Sequence, residues 1–444
     1  MTDLRGHIQQ GGMRSLLIKA LGGSTVVRLV GMGLSFIVGV QLARGLGTDG
    51  YGTYGLAMSV IALLMIPTEF GLPILVVRET AASVAGREWA KFRGLLRWSA
   101  RFIIGTSLLV SLVVVGLLLL GPALASRSLE ATLIFGLPLV PLVALAKTRG
   151  AALSGLRMIV RGQVPDSIIR PGMHSLLLLV ATVFAIKVTP ELAMGCGVVA
   201  AAAALASAAL MLRRAIPGEV RNVAPDSRGR EWRSSCLPMA MTEGMRTVQG
   251  HVVLLILGAM ASVSAVGLYK VAVAVNLLIA TPTGIFITVS APLISELAST
   301  GERDRLQRLL SWTSAGMVTA TLAMSVPVLV AGPYLLGRVF GEEFRDAAVP
   351  LQILCVGAIL TATAGTAGTL LNMTGHERHV RRASFRSFLL LSAILPVFVW
   401  FWGVIGAAIA SVVASFFWRQ QMAQACRRIL ELEPGLWDFL KGGR

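Results

Sequence analysis

Twelve stretches of this chain are apolar over a bilayer's thickness, near residues 21–43, 53–77, 102–121, 131–153, 167–187, 191–212, 237–261, 264–292, 313–333, 347–373, 384–402 and 404–425. Hydrocarbon offers no water to a free N–H or C=O, so a spanning segment of about twenty residues has to satisfy its own backbone as a helix. With 55% hydrophobic and 14% charged residues and a mean hydropathy of +0.76, the chain has too few charges to cover a soluble surface. The sequence predicts an all-α integral membrane protein. The first stretch is too long for a cleavable export signal and no small-residue cleavage site follows it, so it reads as a span.

A basic, proline-bearing segment, 213–236, splits the twelve six and six and contains Pro217, Pro225 and six arginines. The expected organisation is a lobe over 1–212, a cytoplasmic linker over 213–236, and a second lobe with a cytoplasmic tail over 237–444. The halves echo each other. At a shift of 215, Gly52, Tyr54, Ala57, Val60, Leu63, Pro67 and Thr68 fall on Gly267, Tyr269, Ala272, Val275, Leu278, Pro282 and Thr283. Leu95, Leu96 and Trp98 recur as Leu309, Leu310 and Trp312 with the offset changed by one. In a membrane chain, repeated bundles mark a transporter whose site lies between them. The predicted fold is therefore twelve transmembrane helices in two pseudo-symmetric six-helix lobes.

The formal charge of +18 sits in short segments between apolar runs, with few interleaved aromatics. That is a topology signal and not a nucleic-acid surface. Lys and Arg crowd the N-terminus (Arg5, Arg14, Lys19), 78–101, 147–161, the linker, 303–308, 376–386 and the tail, whereas the alternate loops hold only Arg44, Arg127, Lys187, Arg338 and Arg345. Both termini are expected in the cytoplasm. Segment 86–101 mixes Trp89, Phe92, Leu96 and Trp98 with five basic residues and reads as a helix lying on the cytoplasmic membrane surface.

Outward loops are short, and no P-loop, HExxH or Gly-x-Ser-x-Gly element occurs, so neither nucleotide hydrolysis of the P-loop kind nor a catalytic domain is expected. The four cysteines are isolated, the five histidines scattered; no metal or cofactor is expected.

Ionisable residues inside spans need a reason. Arg28 lies in the first, Glu69 in the second, Glu243 and Arg246 in the seventh, and Lys270 in the eighth. Arg170 and Asp166, four apart, read as a helix-face pair. Glu243 and Arg246 either neutralise each other within a turn, or Glu243 meets Arg28, its equivalent under the 215-residue shift, as a structural or gating pair. The bases Arg28, Arg246 and Lys270 outnumber Glu69 and Glu243, which suits an anionic cargo. Pro67 and Pro282 occupy equivalent places and predict paired kinks, either static or bending as two lobes rock.

The run Leu42-Ala43-Arg44-Gly45-Leu46-Gly47, then Gly50-Tyr51-Gly52-x-Tyr54, resembles the start of bacterial polysaccharide-biosynthesis membrane proteins. So do Glu69-Phe70-Gly71-Leu72 with Arg78-Glu79, and Leu371-Asn372-x-x-Gly375-His376-Glu377. These are the Wzx-type flippases of the multidrug/oligosaccharidyl-lipid/polysaccharide (MOP) superfamily, built on a MATE-like plan. The resemblance implies an inner-membrane protein, not an enzyme, that moves an undecaprenyl-pyrophosphate-linked oligosaccharide, such as an O-antigen or other lipopolysaccharide or exopolysaccharide unit, to the outer leaflet by alternating access. It implies a monomer in contact with membrane lipid, with a glycan polymerase and a chain-length regulator nearby. Arg28, Arg246 and Lys270 are the positions that would hold the headgroup, and Glu69, Glu243, Pro67 and Pro282 those that would couple or gate. Alternatives are a cation-coupled multidrug antiporter, a lipid II flippase, or a membrane polysaccharide polymerase or ligase, which ordinarily has a large external loop.

Overall fold

A computed structural model describes residues 3–120, 126–216, 223–226 and 228–435, with side chains from residue 22 onward except that of Leu120. The side chains of Arg5, Arg14 and Lys19, linker residues Pro217 and Arg221, and the tail beyond 435 lie outside the described residues. Those described are mostly helical, with no strand among them. Each apolar run falls on helix over most of its length. Among the described residues eight helical segments are long and apolar enough to cross a membrane, one covering 64 residues. At 1.5 Å per residue a helix that long would reach about 96 Å, some three bilayer cores. It is interrupted at Gly47 (φ 66°, ψ −175°), where a residue without Cβ adopts the conformation at no steric cost. Spans merged end to end across such breaks account for eight segments where the sequence shows twelve runs.

The chain divides into two compact units. The first takes residues 1–46 and 56–251. It holds most of α1 (Asp3–Glu69), then α2 (Leu72–Ala85), α3 (Trp89–Leu120), α4 (Arg127–Gly136), α5 (Leu139–Gly155), α6 (Ile159–Val164), a π-helical turn (Pro165–Ile169), α7 (Arg170–Val183), α8 (Pro190–Ala215) and α9 (Gly229–Met260) as far as His251. Helix α5 is central, packed against α2 and α8. Its Ala144, Ala152 and Gly155 and the Ala193, Gly197, Ala200, Ala201, Ala204 and Ala208 face of α8 are buried. In lipid, where apolar area alone does not drive association, such small faces allow backbones close enough for dispersion to hold them. Arg170 bonds Asp166 at 3.2 Å, as the spacing predicts, and buried His174 places Nε2 3.1 Å from the Ala193 carbonyl.

In the stretch 86–101, expected as a surface helix, residues 89–101 are instead the beginning of α3, continuous with the span that follows. Phe92 and Leu95 are fully buried, and Trp98 packs on Trp232 with ring centroids 5.3 Å apart. Nothing between Trp89 and Leu120 breaks the helix, and the start of α9 supplies the apolar cover that the expectation assigned to lipid. The end of the linker is strapped to the same turn, Arg93 Nη1 donating to the Val223 carbonyl at 2.6 Å and the Asp226 amide to the Ala90 carbonyl at 3.0 Å.

The second unit takes residues 47–55 and 252–444. It contains α10 (Val263–Ile279), α11 (Thr281–Thr300), α12 (Arg303–Phe340), a 3₁₀ turn (Glu342–Ala347), α13 (Ala348–Thr363), α14 (Ala367–Met373) and α15 (Glu377–Leu430). Helix α15 is a hairpin broken at Gly403 (φ 53°, ψ −124°). Its arms are tied by Ser387 Oγ donating to the Ala414 carbonyl at 2.7 Å and Trp418 Nε1 donating to Ser384 Oγ at 3.0 Å. A Cβ at Gly403 would meet nothing within 4 Å, so Gly403→Ala is expected to cost only backbone strain, about 2 kcal/mol, read as a lowered unfolding temperature without loss of insertion.

Both prolines stand beside a helix boundary, but in different ways. Pro282 opens α11, where a missing N–H costs nothing. Pro67 sits inside the last turns of α1, and the break follows at Phe70 (φ 40°) and Gly71 (φ 70°). The offset of 214 does not hold in the structure: Trp98 is packed in a core, whereas Trp312 is 68% exposed. Burial instead matches Leu95 with Leu310 and Ser99 with Ser314, all at most 1% exposed and 215 apart throughout.

Candidate functional site

In the first unit a cavity of about 280 Å³ opens where α1 ends, α2 begins and α9 passes, with α5 contributing Lys147. The break at Gly71 makes it. A Cβ there would lie 2.7 Å from Met239 Cβ and 2.9 Å from the Ala240 nitrogen, so only glycine lets the turn press on α9. Gly244 does the same for Ile66 one helix turn further on, at 2.9 Å. Two helices this close leave the longer side chains of the same turns to line the space beside them.

Four charges line it. Lys147 Nζ donates to Glu69 Oε1 at 2.7 Å, and Glu69 is the least exposed of the set at 15%. Arg246 Nε donates to Glu243 Oε1 and Oε2 at 3.1 and 3.2 Å. The pairs also lie within each other's field, Lys147 acting on Glu243 and Glu69 on Arg246. His251, in the same wall, places Nδ1 3.2 Å from Ser59 Oγ. The cavity thus holds two bases and two acids, each base neutralised by a carboxylate.

Of the predicted residues, the structure brings together Glu69, Glu243 and Arg246, and Pro67 lies in the turn just before Glu69. The pairing of Glu243 with Arg28 does not form. Arg246, three residues along the same helix, occupies the carboxylate, because an i,i+3 neighbour is already within reach. Arg28 is exposed on α1. Lys270 belongs to the second unit, where Nζ stands 4.5 Å from the ring centroids of both Tyr51 and Tyr54. Those rings are almost fully buried, so the ammonium is held by two π faces. Pro282 also belongs to that unit. The excess of deep bases expected from the sequence is not found in the cavity, whose charges balance.

Lys147 is the residue the sequence reading missed. It opens the basic 147–161 segment yet lies within the apolar run 131–153, and that position is the signal that marks it.

A family model for polysaccharide biosynthesis proteins matches residues 18–298. Among solved structures, an inward-facing multidrug resistance MATE family transporter of the MOP superfamily superposes with a TM-score of 0.70 at 14% identity, covering 91% of this chain and 99% of that one. Lipid II flippase MurJ in an inward closed conformation gives 0.71 at 11% identity, covering 91% and 87%. The MATE multidrug transporter DinF-BH in complex with R6G gives 0.63 at 14%, covering 93% and 95%. A sequence search of curated proteins finds no match. The all-α, multi-pass membrane transporter fold is thereby shown.

Proposed function

Since the chain belongs to the polysaccharide biosynthesis protein family, we propose that it is a flippase carrying an undecaprenyl-pyrophosphate-linked oligosaccharide from the cytoplasmic to the outer leaflet of the bacterial inner membrane. The observation that carries this reading is the cavity of two masked bases. Lys147 and Arg246 are each held by a carboxylate that a pyrophosphate can displace, since phosphate oxygens accept the same charge-assisted hydrogen bonds. The planar guanidinium of Arg246, 74% exposed, meets the headgroup first; Lys147, more enclosed, closes on it second. On release the cations return to Glu69 and Glu243, so the empty carrier never holds uncompensated charge in a dry site.

Alternating access is the motion of the lobes 1–212 and 237–444 about the basic linker 213–236, with the kinks after Pro67 and before Pro282 yielding. Both termini face the cytoplasm. Arg28 and Lys270 remain assigned to the headgroup path; Glu69 and Glu243 act as gating carboxylates. The chain works as a monomer without catalysis or cofactor, supplied with glycolipid and followed by a polymerase and a chain-length regulator. Moving a net negative headgroup outward down an inside-negative potential releases about 2.3 kcal/mol per charge per 100 mV, enough to drive flipping without nucleotide hydrolysis.

Purified protein in liposomes is expected to move a fluorescent polyprenyl-pyrophosphate saccharide between leaflets, faster when the interior corresponding to the cytoplasm is negative. Absence of movement together with proton-driven efflux of a cationic dye would replace the reading with a multidrug antiporter, for which two carboxylates in the cavity are also suitable. Arg28→Gln and Lys270→Gln are each expected to reduce flipping severalfold with insertion intact; normal rates in both and in the double variant would remove these residues from the path.

A further inference from the structure

The α15 hairpin carries a second polar recess. Its arms enclose a groove of about 270 Å³ lined by His379, Arg382 and Arg386 on one side and Gln421, Gln424 and Arg428 on the other. The spacing is what two antiparallel helices need to face each other: 379, 382, 386 on the first arm and 421, 424, 428 on the second. Ala383 and Ala425 set the floor, and behind them Met422 and Cys426 are at most 1% exposed. Arg386 is fixed by donating from Nη1 to Gln421 Oε1 at 3.4 Å. Gln421 Nε2 is buried with no acceptor.

None of the lining residues is acidic. Among the described residues neither Arg382 nor Arg428 forms an ion pair, and of the carboxylates after the second arm Glu431 pairs with Arg303 at 3.4 Å and Glu433 with Arg427 at 3.5 Å. Three arginines line one recess that contains no acidic residue, and Gln421, which also lines it, has an amide donor unused. One turn along each arm the chemistry changes: Leu389, three residues past Arg386, is 50% exposed, and Phe417, four before Gln421, is 39% exposed. A ligand matching this surface has an anionic head of about one phosphate group and an apolar tail leaving along the hairpin.

We propose that the groove is a binding site for an anionic phospholipid of the surrounding bilayer. Arg382, Arg386 and Arg428 take the phosphate diester, Gln421 Nε2 donates to a headgroup oxygen, and the acyl chains run over Leu389 and Phe417. It draws on none of the residues of the charged cavity. The basic end of the hairpin is the one the charge pattern places at the cytoplasmic face, so the lipid belongs to the inner leaflet.

The test uses the full chain in detergent micelles with equimolar dioleoyl-phosphatidylglycerol and dioleoyl-phosphatidylcholine, the retained lipid counted by native mass spectrometry. The wild type is expected to keep one phosphatidylglycerol in preference to phosphatidylcholine. Arg382→Gln with Arg428→Gln is expected to weaken that binding at least tenfold, while the corresponding lysine pair holds it within about threefold. Arg93→Gln with Arg97→Gln, equally basic but on α3, should leave it unchanged. Leu389→Ser is expected to weaken dioleoyl but not dihexanoyl phosphatidylglycerol, and supplies the answer if the double variant does not fold. Retention unchanged in both groove variants overturns the proposal. So does equal loss in the α3 control, which would mean bulk charge. Displacement by millimolar inorganic phosphate would mean a simple anion site, and displacement by equimolar polyprenyl pyrophosphate a site for the cargo.

Discussion

Lys147→Met is expected to lower stability by about 2–3 kcal/mol and to abolish measurable flipping. The stability loss follows from what remains: the Glu69 carboxylate, only 15% exposed, loses its partner at 2.7 Å, and a buried charge stripped of its counter-ion costs more than the intact pair contributes. The loss is set below the usual range for fully buried pairs because Lys147 is 36% exposed. Adding Glu69→Gln should return most of the stability, since no uncompensated charge is left. It should not return flipping, because the displaceable base is still missing. Glu69→Gln alone should separate the roles again: it unmasks Lys147, so the headgroup binds more tightly and is released more slowly, giving a lower KM with a lower kcat. The paired measurements are thermal unfolding of the purified protein and leaflet accessibility in liposomes. Recovery of flipping in the double variant would show the pair to be structural only.

What could be read beforehand divides along physical lines. Lipid leaves a spanning backbone one solution, so the helices follow from the apolar runs, whereas the breaks at Gly47, Gly71 and Gly403 carry no mark that the sequence pattern reveals. A glutamate and an arginine three apart on one helix meet whatever surrounds them, and Glu243 and Arg246 do. Contacts remote in sequence were not legible. Lys147 and Glu69 are 78 residues apart, and a lysine near the end of an apolar run ordinarily snorkels to water. The 86–101 stretch shows a second limit. Its apolar side is plain, but amphipathicity does not distinguish lipid from a neighbouring Trp232. Repeat symmetry likewise relates Arg28 to Glu243 as equivalent positions, which is a different statement from contact.

That same symmetry does specify one contact, and breaking it is the second large effect expected. Within the second unit, Gly52 and Gly267, 215 residues apart, lie where the 47–55 segment meets α10. A Cβ on Gly52 would collide with the Val263 carbonyl, and a Cβ on Gly267 with the Thr48 carbonyl. Thr48 and Val263 are themselves 215 apart, so the collisions are one contact seen twice, related by a local two-fold axis. Close approach of backbones is what small residues provide between helices in lipid, and the same segment brings Tyr51 and Tyr54 onto Lys270. Gly52→Ala and Gly267→Ala are each expected to cost roughly 3 kcal/mol, the upper end for overpacking because the obstacle is backbone and not a flexible side chain. Either methyl must push the helices apart, and once apart they accommodate the other. The double variant should therefore lose well under the sum of the two, a coupling of about 1 kcal/mol or more in an unfolding cycle. Strict additivity would mean that the two glycines sit in independent contacts, and the equivalence of the two repeats would then stop at the sequence.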